Sequence, residues 1–128
     1  MQNFLRNSLR RAQRVLFRGM IGRPYPERFQ RFWLRLIASS TLGASGMMSQ
    51  RGTWGVPGLW VRHRDGDDRR VMLYLHGGGY TLGSPQTHRS LASHLAKIAQ
   101  CGVLLPEYRL APEHPYPAAL DDAVSAYR

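Results

Sequence analysis

The stretch "VMLYLHGGGYTLGSPQTHR" (Val71–Arg89) decides the fold of this chain. Its almost wholly apolar start, which ends at His76, is typical of a strand that is covered on both faces of a sheet. Three glycines follow, and Ser84 before Pro85 has the pattern of a helix start. Because successive glycines weaken any regular element, we expect this connection to need backbone without side chains.

Apolar runs and amphipathic segments alternate outward from this stretch. Strands are predicted at Leu59–His63, Val71–His76 and Cys101–Leu105, and helices from Ser84 to about Gln100 and over Pro117–Arg128. The segment "RDGDDRR" between the first two strands predicts a turn. This order of strands and helices predicts an α/β fold with a mostly parallel sheet.

The N-terminal part has a different pattern. Leu5, Leu9, Ala12, Leu16 and Met20 form one stripe of a predicted amphipathic helix, and "GRPYP" (Gly22–Pro26) ends it. A second helix is predicted to have Phe29, Phe32, Trp33, Leu36 and Ile37 on one face and Arg28, Arg31 and Arg35 on the other. Each apolar stripe is expected to dock on another surface. The glycine-rich segment Ser39–Gly58 predicts a linker or loop, so residues 1–55 are assigned to helices and linker and residues 56–128 to the α/β part.

The positive charge of the chain lies in its first half. Residues 1–70 hold 14 arginines and 4 acids, whereas residues 71–128 hold 4 basic and 4 acidic residues. Such a bias is typical of solvated helix faces, and it also leaves a weak contact with an anionic membrane open. Nucleic acid is not favoured as a partner. We expect a cytoplasmic protein, because the sequence has a single cysteine, no signal-like start and no apolar run of about 20 residues.

Three functions compete for the glycines. A phosphate loop needs the Walker spacing with Lys and Ser/Thr after the last glycine, and this spacing is absent. A dinucleotide-binding loop has the right strand–glycine–helix context, and Glu107 could serve as its acid, but Gly77, Gly79 and Gly83 give G-x-G-x-x-x-G. The third function is an oxyanion hole, in which backbone N–H groups stabilise a developing negative charge by roughly 3 kcal/mol per donor. The glycines alone would equally fit a tight turn.

Two longer motifs favour the oxyanion hole. "MLYLHGGGYTLGSPQTH" and "PEYRLAPEHPYPAALDDA" (Pro106–Ala123) resemble, in order and spacing, the two signatures of the hormone-sensitive-lipase-like (GDXG) esterases. The resemblance covers about residues 72–128. It implies an α/β-hydrolase fold, N-terminal cap-type helices, a small ester as substrate, and serine-triad acyl transfer without metal or organic cofactor.

The resemblance also implies roles for individual residues. Gly78 and Gly79 are expected to supply the oxyanion N–H groups, His76 and Gly77 to shape the loop, and Tyr80 to line the substrate pocket. The second signature implies structural roles for Tyr108, Arg109, Glu113, Asp121 and Asp122. Because a buried arginine must be paired, we expect Arg109 to bond one of these three acids.

The nucleophile that this chemistry needs is absent from the sequence. The nearest approach to G-x-S-x-G is "GASGM" (Gly43–Met47), which fails at the fifth position and precedes the first predicted strand. The chain therefore resembles the N-terminal part of an esterase, without the catalytic Ser, acid and His, and we expect it to be inactive and poorly soluble alone. The alternatives are a non-catalytic hydrolase-fold protein that binds a small molecule, and a basic membrane- or nucleic-acid-binding module.

Overall fold

The computed structural model describes residue 11 and residues 25–128. The predicted helix over residues 5–20 lies outside these described residues. The elements in chain order are α1 (Glu27–Ser39), β1 (Met47–Trp54), β2 (Val56–His63), β3 (Asp67–Leu73), α2 (Pro85–Ala99), β4 (Cys101–Pro106) and α3 (Ala118–Tyr127).

The four strands form one mixed sheet in the order β1-β2-β4-β3. β3 and β4 are parallel, with Leu73 opposite Leu104, as expected for strands joined through helix α2. The other two neighbouring pairs, β1–β2 and β2–β4, are antiparallel, so the predicted mostly parallel sheet is wrong for this part of the chain. For β1 and β2 the reason is local, because only Gly55 joins them, and so short a connection has to reverse the chain.

The predicted linker over Ser39–Gly58 is also wrong in its second half. Residues 47–54 form β1, which pairs with β2 along its whole length, from Met47 opposite His63 to Trp54 opposite Val56. The assigned boundary at residue 55 falls at the turn of this hairpin. Most β1 side chains are exposed, so the strand is held by its backbone pairing with β2. Its sequence therefore lacks the apolar alternation by which a half-buried strand is predicted.

β3 begins earlier than the sequence pattern indicates. Residues 67–70, expected to be part of the turn, already belong to the strand, which has an irregular register between Asp67 and Val71. The apolar run continues beyond the strand, and the Tyr74 N–H still donates to the Leu104 carbonyl oxygen at 2.8 Å.

The core lies between helix α2 and the central strands. Its fully or nearly buried members are Leu59, Val61, Ala92, Ala96, Val103 and Leu105. The two alanines keep the sheet-facing side of α2 small, which lets the helix pack closely on β2 and β4. On Gly102 the Trp60 ring packs so closely that a Cβ there would overlap it.

Helix α2 starts as predicted. The Ser84 hydroxyl accepts the Thr87 N–H at 3.3 Å, and the Thr87 hydroxyl accepts the Ser84 N–H at 2.9 Å. This reciprocal capping box fixes the point at which the glycine loop ends.

Helix α1 packs against α2 with an unexpected face. Phe32 and Leu36, from the apolar stripe, are 61% and 49% exposed. Arg31, which the helical pattern places on the polar face, points toward the body of the protein and has four hydrogen bonds there. The orientation of α1 is therefore set by its polar contacts rather than by its aromatic stripe.

Candidate active site

The candidate site lies beyond the carboxyl ends of the parallel strands β3 and β4. The glycine loop, defined here as residues 77–83, joins β3 to α2, and a second loop over residues 107–117 joins β4 to α3. This edge of an α/β sheet is the usual position of ligand sites. The structure thus brings the two sequence motifs together at one place.

The glycine loop requires glycine at two of its positions. Gly78 has φ +134° and Gly83 has φ +90°, conformations that L side chains rarely adopt. A Cβ on Gly78 would overlap the Leu82 carbonyl, and one on Gly83 would overlap the Gly77 carbonyl oxygen. The loop is closed by the Leu82 N–H, which donates to the Gly78 carbonyl oxygen at 2.9 Å. It is therefore a tight turn, as well as a stretch of accessible backbone.

The N–H groups of Gly78 and Gly79 have no acceptor among the described residues. Gly79 also has open space around it, since a Cβ there would meet nothing within 4 Å. Both glycines line a cavity of about 660 Å³. Two residues with unpaired N–H donors thus line a space that a small ligand could enter.

The cavity is mainly apolar and aromatic. Its lining residues from outside the glycine loop are Leu75, His76, Tyr108, Ala111, His114, Tyr116, Pro117, Ala119, Leu120 and Ala123. The predicted pocket residue Tyr80 also lines it, with an exposed ring at the rim and a left-handed backbone (φ 62°). The Ala111 N–H donates to the Tyr80 carbonyl oxygen at 2.8 Å and joins the two loops.

His76 forms the floor behind the glycines. Its buried ring stacks on Tyr108 at a centroid distance of 4.3 Å and on His88 at 5.5 Å. The Tyr108 hydroxyl donates to the His76 carbonyl oxygen, and the His76 Nδ1 lies 3.0 Å from the Gly77 carbonyl oxygen. Burial lowers the pKa of His76 and raises the pKa of Tyr108 to about 12, so both side chains are neutral near pH 7. They support the loop rather than supply charge to it.

Arg109 takes Asp122 as its partner among the three acids considered. Its Nη2 and Nε donate to the two Asp122 carboxylate oxygens at 2.8 and 3.0 Å, and its backbone N–H donates to Oδ2 at 2.8 Å. The hydrogen bond from Arg109 is the main reason that the pKa of Asp122 lies below its usual range. The pair fixes the start of α3 relative to the end of β4, whereas Asp121 makes no side-chain bond to Arg109.

Arg31 is a site residue that the sequence analysis missed. It bonds Glu113 through both carboxylate oxygens, at 2.8 and 2.9 Å, and this hydrogen bond is the largest cause that lowers the pKa of Glu113 to about 2. The partners are 82 residues apart, so no local spacing indicated the pair. Helical periodicity placed Arg31 among solvated arginines, because periodicity shows which residues share a helix face and not which residues that face contacts.

Other functional groups are not brought together. Among residues 25–66 and 69–128, no three His, Cys, Asp or Glu side chains are grouped so that they could hold a metal ion. Within the same residues, no helix is both long enough and apolar enough to cross a bilayer.

Similarity to known proteins agrees with this arrangement. Residues 72–128 match the sequence profile of a family described by the α/β hydrolase fold. The chain is 56% identical over 69 residues to an acetyl-hydrolase of Streptomyces hygroscopicus, covering 54% of this chain and 23% of that protein. Over 95 residues it is 47% identical to the esterase LipI of Mycobacterium tuberculosis, covering 74% and 28%. The fold and the loop are those of part of an α/β-hydrolase.

Solved structures show which α/β-hydrolases this chain resembles. An esterase of the bacterial hormone-sensitive lipase family superposes with a TM-score of 0.80 at 38% identity, over 89% of this chain and 39% of that one. A hormone-sensitive lipase from a metagenome library gives 0.82 at 35% identity, over 93% and 41%. The chain is therefore similar to part of the hormone-sensitive-lipase-family proteins, and it spans about two fifths of the length of these two proteins.

Proposed function

We propose that this chain supplies the oxyanion hole and part of the substrate pocket of a carboxylic-ester hydrolase. The observation that carries the proposal is that Gly78 and Gly79, whose N–H groups have no acceptor among the described residues, both line a mainly apolar cavity at the carboxyl edge of the sheet. A phosphate ligand would need basic side chains around these donors, and the described residues that line the cavity include no lysine or arginine.

The chemistry follows from where charge develops. A nucleophile that attacks an ester carbonyl forms a bond to carbon, and the carbonyl π electrons move onto oxygen. The N–H groups of Gly78 and Gly79 then donate to that oxygen more strongly than to the uncharged carbonyl, which lowers the barrier. When the tetrahedral intermediate collapses, the alcohol leaves and the oxygen gives up its charge. The acyl or alcohol group of the ester would lie against the apolar wall formed by Tyr80, Tyr116 and Leu120.

The attacking group is not among these 128 residues, which contain no G-x-S-x-G sequence. We therefore expect the chain by itself to give no turnover of p-nitrophenyl acetate above background. Turnover that disappears in Gly79→Pro would contradict this expectation. In this proposal α1 acts as a cap-type helix, a role supported by its contacts with both loops of the site.

A chimera tests the proposal. This chain replaces the matching part of the solved hormone-sensitive-lipase-family esterase, and hydrolysis of p-nitrophenyl acetate is measured. We expect hydrolysis, and a loss of about 10²-fold or more in kcat when glycolic acid replaces Gly79, which removes its N–H without adding a side chain. The matched control Gly66→Ala, in the turn between β2 and β3, should keep the activity. A folded chimera that binds the ester without hydrolysing it would favour a non-catalytic binding protein instead.

A second function is supported by the exposed aromatic face of α1. Phe32 and Leu36 are 61% and 49% exposed, and Arg28 and Arg35 lie beside them on the helix. Helices with this composition bind anionic lipid surfaces. We expect the chain to bind phosphatidylserine-containing vesicles at low salt and to release them at high salt. Phe32→Ser should weaken the binding and the control Leu42→Ser should not; equal binding by both variants, or none by the wild type, would contradict this function.

A further inference from the structure

Arg31 joins three separate segments of the chain. From helix α1 its Nε donates to the Thr81 carbonyl oxygen at 2.8 Å, and its Nη2 donates to the Ala111 carbonyl oxygen at 2.8 Å. The same guanidinium binds both carboxylate oxygens of Glu113. Thr81 belongs to the glycine loop, whereas Ala111 and Glu113 belong to the second loop. The side chain is only 20% exposed, so most of its donors are directed into the protein.

The bond to Thr81 reaches the proposed oxyanion donors through one turn. The N–H groups of Thr81 and Leu82 both donate to the Gly78 carbonyl oxygen, at 3.2 and 2.9 Å. The Gly78 carbonyl belongs to the same peptide group as the Gly79 N–H. A guanidinium that holds the Thr81 carbonyl therefore limits how far this peptide plane can rotate, and with it the direction of the Gly79 N–H.

We propose that Arg31 is a positioning residue that holds the glycine loop against the second loop and so orients the Gly79 N–H toward the cavity. This inference rests on the proposed oxyanion role of Gly79. Arg31 does not line the large cavity and does not contact a substrate there; it acts through Thr81 and Gly78.

The geometry separates Arg31 from the other paired arginine. Arg109 bonds Asp122 only 13 residues away and orients α3, without a bond to the glycine loop. Arg31 instead comes from α1 and spans 50 residues to Thr81 and 80 residues to Ala111. Its planar group offers five donors in a fixed arrangement, which suits two carbonyls and one carboxylate at once. A displacement of α1 would therefore change both loops together.

Hydrogen exchange of individual amides in the full 128-residue chain tests the proposal. Arg31→Met should accelerate exchange at Thr81, Leu82 and Ala111 by about tenfold, because hydrogen bonds from a charged donor are lost. The Val103 amide in β4 should keep its rate. The matched control Arg28→Met, one turn earlier on the same helix, should leave all four rates unchanged.

The conservative variant separates positioning from bulk. Arg31→Lys keeps the charge and can still reach one or two of the acceptors, so it should recover part of the lost protection. Arg31→Met should shift the amide resonance of Gly79, because the Gly78–Gly79 peptide group is held less firmly. Arg31→Lys should move this resonance part of the way back toward its wild-type position. If Arg31→Met does not fold, Glu113→Gln provides the same test, with faster exchange expected at Ala111.

Two results would overturn the proposal. The first is unchanged exchange at Thr81 and Leu82 in Arg31→Met, or unchanged exchange at Ala111 in Glu113→Gln. The second is an equal acceleration at Val103, which would make Arg31 a contributor to global stability only. Exchange is measured without substrate, so an inactive chimera would remove the ester-hydrolase function while leaving this outcome to decide the role of Arg31.

Discussion

Two regions of the molecule differ in how much of their apolar surface the described residues cover. On the side of β2, β4 and α2, side chains such as Leu105 are fully buried. In a second region, formed by β3, the residues that follow it and α3, and called here the open side, Val71, Leu75 and Leu120 are about half exposed, and β3 forms an edge of the described sheet. Yet the polar bonds on this open side, from Tyr108 to His76 and from Arg109 to Asp122, are complete. The contacts that hold the glycine loop are therefore made by residues present here, even where the apolar surface around the loop is exposed.

The largest expected effect is on the free energy of unfolding, and it is seen by comparing one leucine from each of the two regions. Leu105→Ala should lower the free energy of unfolding by about 3 kcal/mol, because it opens a cavity in a closed core. Leu75→Ala should change it by less than about 0.5 kcal/mol, because Leu75 is 50% exposed. Urea unfolding followed by tryptophan fluorescence measures both. Equal losses would remove the distinction between the two sides.

Within the glycine loop, Gly83→Ala should destabilise the chain by about 2 kcal/mol, because the new Cβ overlaps the Gly77 carbonyl oxygen at a positive φ. Gly77→Ala is the matched control, since a Cβ there meets nothing within 4 Å. The same urea titration compares them. A harmless Gly83→Ala would show that the loop is not held as rigidly as its bonds indicate.

The Arg109–Asp122 pair should give a smaller, pH-dependent effect. Asp122→Asn should lower stability at pH 7 by about 1–2 kcal/mol, because a hydrogen-bonded carboxylate is lost. The pKa of Asp122 lies below its usual 3.8, so the unfolded chain takes up the proton first. The stabilisation is therefore present above pH 3.8 and lost as the pH falls below it, and wild type and variant should converge in acid. A constant difference across this range would contradict the pairing.

His76 should give the smallest effect. Burial holds its pKa below the usual 6.5, so the neutral form favours the folded state. Its contribution is complete above pH 6.5 and decreases as the pH falls, because the unfolded chain binds the proton more readily. His76→Gln should flatten the loss of stability between about pH 7 and pH 5. An unchanged pH profile would place His76 in contact with water.

Local signals predicted some parts of this molecule well. The capping residue Ser84 and the parallel pairing of β3 with β4 follow from short patterns, and the second signature limited the expected partners of Arg109 to three acids. Strand β1 was missed because its exposed side chains carry no alternation. The bond between Arg31 and Glu113 was missed because it depends on how α1 is placed on the domain, which helical periodicity does not determine. Whether Gly78 and Gly79 act as oxyanion donors stays a prediction.

The most direct test of that central claim removes one N–H without adding a side chain. In the active chimera, glycolic acid in place of Gly79 converts the Gly78–Gly79 peptide bond into an ester. This deletes the Gly79 N–H, adds no side chain, and leaves the Gly78 carbonyl oxygen as a weaker acceptor for Thr81 and Leu82. We predict that kcat for p-nitrophenyl acetate falls by about 10²–10³-fold with KM little changed, while the same replacement at Gly66 leaves kcat nearly unaltered. A Gly79 replacement that keeps the wild-type kcat would contradict the oxyanion assignment.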